Sequence, residues 1–84
     1  MAHVPRDDAE ALFHALHHRT WHELHRELQR RKGRAEGISD TLIDLLLPIT
    51  REKAARGEPF PSSAHDLQEA LNQALAAAGR GGVP

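Results

Sequence analysis

Positions Ala9, Phe13, Leu16, Thr20, Leu24 and Leu28 fall on one side of a helix at about 100° per residue, with Leu12 and Trp21 at the margins of the stripe. That pattern predicts one long amphipathic helix over about 7–32. Pro5 has the fixed φ of a first helical position, and Asp7 followed by Glu10 fits an acidic capping box near the positive end of the helix dipole. Arg30, Arg31 and Lys32 suit the negative end, and Gly33 suits a left-handed exit.

After a short connector, Ile38, Leu42, Leu45, Leu46 and Ile49 repeat at helical spacing, with Ser39 or Asp40 placed to cap them. Ile43 and Leu47 lie off this stripe, so the segment is apolar around much of its circumference and is expected to be central. Pro48 removes one backbone donor and crowds the carbonyl four residues back, which predicts a kinked helix over about 39–56 with Gly57 beyond its end. The stretch 58–62, EPFPS, cannot be helix interior, and Phe60 within it reads as an anchor on the core. A third helix over about 63–78 follows from Ser63 with Asp66 and from the narrow stripe Ala64, Leu67, Leu71, Ala74, Leu75 and Ala78.

The pattern thus predicts an all-α chain, a small three-helix bundle with a long first helix and a proline-kinked second. Residues 1–5 read as a flexible start, 6–79 as a single domain and 80–84 as a disordered tail. A first helix of roughly 37 Å overhangs partners of this size, so a homodimer is expected to complete the bundle.

Composition narrows the chemistry. With 84 residues, no cysteine and one tryptophan, the chain lacks disulfide staples, thiolate ligands and a base-stacking platform. Eleven Lys and Arg against twelve Asp and Glu leave a formal charge of -1, which argues against a surface built as a whole for nucleic acid or anionic lipid. No apolar run approaches the roughly 20 residues of a membrane span, and MAHVPRDDAE does not read as a signal peptide, so a cytoplasmic location is expected.

Seven histidines are the exception to this plain composition. On one continuous helix His14, His18, His22 and His25 would share an arc of about 80° opposite the leucine stripe, with His17 beside the apolar face. Neutral imidazoles one turn apart suit Zn²⁺, Ni²⁺ or Cu²⁺, but His14 and His22 would stand about 12 Å apart along the axis and cannot share an ion. Any such site therefore needs ligands from a second helix or a second chain. His22-Glu23-Leu24-His25 is one residue too short for the zincin motif, whose histidines are four apart.

Arg26, Arg30, Arg31, Lys32 and Arg34 form a basic cluster able to contact phosphates, or simply to complement a helix C-terminus. A helix-turn-helix is disfavoured, because the connector at 58–62 is proline-rich and the helix after it opens with His65, Asp66 and Glu69. There is no glycine-rich phosphate loop, no cysteine nucleophile and no paired carboxylates beyond ordinary surface spacing. The expectation is a non-catalytic protein-binding module, an adaptor, inhibitor or regulatory subunit, touching its partner through Trp21, Ile43 and Leu47 with Arg30 and Arg31 steering association. Metal binding through the histidine row and nucleic-acid binding through the basic cluster are the alternatives.

Overall fold

The computed structural model describes residues 3–34 and 37–81, with the backbone alone at 79–81. All of its regular structure is helical, in four helices: α1 (Arg6–Ala15), α2 (Trp21–Arg31), α3 (Asp40–Arg56) and α4 (Ala64–Gly81). The three-helix expectation fails at one place. The predicted first helix is two, because residues 16–20 leave the helical path.

That break is a capping event. Thr20, extended at φ -120 and ψ 159, accepts the Glu23 N–H on its hydroxyl at 3.1 Å and starts α2. Glu23 reaches back in turn, its carboxylate accepting the N–H groups of His17, His18 and Arg19 at 2.9, 2.8 and 2.8 Å. Three donors that a continuous helix would have used are satisfied by one side chain. The turn also places Arg19 at φ 51, the one non-glycine residue at positive φ among the described residues, with its guanidinium 4.1 Å above the Phe13 ring.

The remaining helices follow the expected signals. Ser39 caps α3 by accepting the Leu42 N–H at 3.2 Å, and Ser63 accepts the Asp66 N–H at 3.1 Å ahead of α4. Pro48 lies inside α3, which nevertheless runs from Asp40 to Arg56. Gly57 then takes the left-handed conformation at φ 65, its N–H bonding Ala54 O while Glu58 N–H bonds Lys53 O, so the last turn is closed by a Schellman pair.

In space α1 lies on α4 and α2 on α3, α3 also meets α4, and α1 and α2 touch each other least. Fully buried Leu12, Leu24, Leu28, Ile43, Leu46, Leu67 and Leu71 form one core shared by all four helices. The predicted stripe holds in α2 and α4, but on α3 the buried face is Leu42, Ile43, Leu46 and Thr50 rather than one containing Leu45, which is 42% exposed. Packing between α2 and α4 turns α3 away from the face its leucine count suggests. Phe60 anchors the 58–62 connector as expected, 4.9 Å from the Trp21 ring in an edge contact and 6.3 Å from the Phe13 ring in a stack.

The segment read as a flexible start is tied down where it is described. Val4 is fully buried against α4; Asn72 Oδ1 accepts its N–H at 2.7 Å, and Gln68 Nε2 and Asn72 Nδ2 donate to its carbonyl at 3.2 and 3.3 Å. The tail expected at 80–84 falls partly in α4, and residues 82–84 lie outside the described residues. With α1 folded onto α4 the chain covers its own stripe. The radius of gyration, 11.9 Å, equals the about 12 Å of a compact single chain of this length, and the overhang from which a homodimer was inferred does not exist.

Candidate functional site

The break after Ala15 redistributes the histidine row. His14 ends α1, His18 sits in the connector, and only His22 and His25 remain together, on α2. Among the described residues no three His, Asp or Glu side chains come together to hold a metal ion. The geometry that would have let four histidines share a helix face is absent because Glu23 holds the connector out of helix.

The residues expected to contact a partner also separate. Trp21 is 4% exposed, with its indole N–H donating to Pro59 O at 3.2 Å and the Lys53 ammonium 5.2 Å from its ring. Ile43 is fully buried. Both are core, and neither offers a surface. Arg30 and Arg31 bond the Glu27 carboxylate at 2.6 and 2.7 Å, and Lys32 pairs with Asp44. The Glu27 carboxyl is held below its ordinary range chiefly by the Arg30 hydrogen bond, against partial burial and with help from Arg31. One carboxylate thus serves both Arg30 and Arg31 and a second serves Lys32, so part of the cationic charge at this end of α2 is paired within the fold.

Of the three apolar residues expected at the contact, Leu47 alone stands at an accessible surface. It lies with Pro48, Ala54 and Ala55 of α3 opposite His22, His25 and Gln29 of α2, and together they line an open groove between the two helices. Arg51 and Glu52 stand at its rim, Glu52 bonded to Arg56 at 2.6 Å, while Arg51 enters no ion pair among the described residues.

One side chain in this groove is held in a defined state. Fully buried Thr50 has a single hydroxyl proton, which is directed at the carbonyls of Leu46 and Leu47 at 3.2 and 3.1 Å. The same oxygen lies 2.9 Å from His25 Nδ1; with its proton on either carbonyl it accepts from Nδ1, and the neutral ring then keeps its free lone pair on Nε2. Nothing in the sequence pattern pointed to this contact, because Thr50 and His25 are 25 residues apart on different helices. A threonine in register with the Leu42 and Leu46 stripe was the available sign.

Apolar side chains, an oriented imidazole and an unengaged guanidinium share one face, and the groove is open rather than an enclosed pocket. Among the described residues no helix is long and apolar enough to cross a membrane. Compared with protein-family models, curated proteins and solved structures, the chain matches none. The chain is all-helical, with a partly apolar cleft between α2 and α3 that carries Arg51 and Glu52 at its rim.

Proposed function

We propose that the protein is a non-catalytic binding module whose α2/α3 groove receives an apolar segment flanked by acidic residues from a protein partner. The observation that carries this reading is the placement of Leu47, Pro48, Ala54 and Ala55 beside the Thr50-oriented His25 and the unengaged Arg51. An amphipathic helix laid in such a groove buries its apolar anchors and presents its carboxylates to the guanidinium and imidazole. Trp21 and Ile43, expected at this contact, are buried in the core and do not line the groove.

The test is Leu47→Asp with Arg51→Glu as its companion. Leu47 is only partly buried, so circular dichroism should show unchanged helical content while capture of the partner falls by about tenfold or more. Loss of folding in Leu47→Asp, with Arg51→Glu binding normally, would mean that the groove is only a seam of the core.

A metal-dependent version of the same reading has one observation in its favour. His25 Nδ1 is 2.9 Å from Thr50 Oγ1, the kind of contact that orients metal-ligating histidines, and the ring shares the groove with His22 one turn earlier. Two imidazoles leave a Zn²⁺ or Ni²⁺ ion short of ligands, so metal would act by bridging to a second chain, and a homodimer formed this way would require added metal. Sedimentation of tag-free protein with zinc and with chelator reads this directly.

A further inference from the structure

The connector between α1 and α2 has the sequence of a helix and the structure of a turn. Leu16, His17, His18, Arg19 and Thr20 include neither glycine nor proline, and Phe13, Leu16, Leu24 and Leu28 stay in helical phase across them. The turn is held from its exposed side by Glu23, and it costs Arg19 a left-handed backbone that side chains other than glycine adopt reluctantly. α1 also belongs to a different packing pair from α2: it and buried Val4 rest on α4, while α2 rests on α3.

We propose that the Leu16–Thr20 connector straightens into helix and that α1, carrying Val4 with it, docks on α4 of a second copy of this chain, giving a symmetric exchanged dimer. Every contact that α1 makes with α4 in one copy is available in the same form in the other, so the exchange needs no new surface. Straightening releases Arg19 from positive φ and gives the N–H groups of residues 17–19 intrahelical partners. It gives up the Glu23 bonds and uncovers Leu16, which is 5% exposed in the bent form and meets its own symmetry mate near the two-fold axis of the dimer. The inference does not use the α2/α3 groove and stands or falls apart from it.

Two variants shift the joint in opposite directions. Glu23→Gln keeps one acceptor oxygen for donors that engage both, so it favours the straight form, and the dimer dissociation constant should fall by about tenfold or more. Arg19→Gly relieves the turn and weakens a continuous helix, so it should hold the chain monomeric. The chain has no cysteine, so spin labels at Ala11→Cys and Gln29→Cys are unique. In samples diluted with unlabelled chain, a separation of about 27 Å, the rise of unbroken helix between those positions, should appear only in the dimer fraction. A dimer that keeps the monomer's label separation, or one that Leu47→Asp abolishes, would overturn the exchange in favour of groove docking. So would Glu23→Gln that folds and stays monomeric at millimolar concentration. Should Glu23→Gln fail to fold, wild type refolded at high concentration decides: a dimer with the 27 Å separation that Arg19→Gly eliminates supports the proposal, and its absence overturns it.

Discussion

Thr50 illustrates how one hydroxyl sets the chemistry of a neighbour. With its proton on an α3 carbonyl it accepts from His25, and the Nδ1-protonated imidazole tautomer follows from that placement. Thr50→Val keeps the shape of the buried side chain and removes the acceptor. Nitrogen chemical shifts of the His25 ring should then move from the Nδ1-protonated toward the Nε2-protonated pattern, while stability falls by only about 0.5–1.5 kcal/mol, the loss of one hydrogen bond at a half-buried donor. A ring that keeps its tautomer in the variant would show that solvent or another group sets it. Residue-level burial was legible at Leu24, Leu28, Leu67 and Leu71, where apolar side chains repeat along one narrow stripe, but not at Leu45, which is in the predicted stripe of α3 and is exposed. It was not legible at Ile43, because a helix apolar on most sides can be buried along any of them, and here α2 and α4 decide.

At the scale of elements, two helix starts and one stop were written as local signals: Ser39, Ser63 and Gly57 do what their types suggest. The α1/α2 boundary was also written, as Thr20-Trp21-His22-Glu23, a capping box in the middle of an unbroken stripe. Periodicity hid it, since the stripe stays in phase through the turn and no glycine or proline marks the place. The histidine row was lost with the same misreading. The joint has a pH signature. Glu23 is held below the ordinary carboxyl range, chiefly by the His17 N–H, with the His18 and Arg19 donors and the charge of His18 adding to it and desolvation opposing. A depressed folded-state value means that its contribution is complete above the unfolded value and drains away as pH falls through the folded one. Glu27, lowered by Arg30, acts in the same direction, whereas Asp8, raised by burial beside Asp7, acts against them. Acid titration below about pH 4.5 should therefore loosen the connector before the core, seen as early loss of amide protection at residues 17–19, and Glu23→Gln should remove that early phase. Simultaneous loss of protection at Leu24 and Leu28 would mean that the joint is not a separate unit.

For the molecule as a whole, the all-helical class was readable, because it depends on local period and on apolar count, whereas Val4, Trp21 and Ile43 join the core against expectation. Which helices pair was not readable. The long-helix reading left a stripe without cover and called for a second chain, while the bend supplies α1 as cover for α4 and closes the core within one chain. The clamp of Val4 by Gln68 and Asn72 could not be foreseen either, since it joins residues 64 to 68 positions apart through ordinary polar side chains. That separation has a consequence in time. Closing a loop of that length costs more entropy than closing the neighbouring α2–α3 hairpin, so the hairpin is expected to form early and α1 to dock late, after the folding barrier. Val4→Ala, which removes buried methyl groups worth about 1.5–3 kcal/mol, should then leave the folding rate nearly unchanged and speed unfolding by about tenfold or more. If stopped-flow measurements placed the effect on the folding limb instead, α1 docking would belong to the nucleus. In the late-docking order a newly made chain spends its first moments as an α2–α3–α4 body with the α4 stripe open, and whatever apolar helix reaches that stripe first, its own or a neighbour's, determines what the chain becomes.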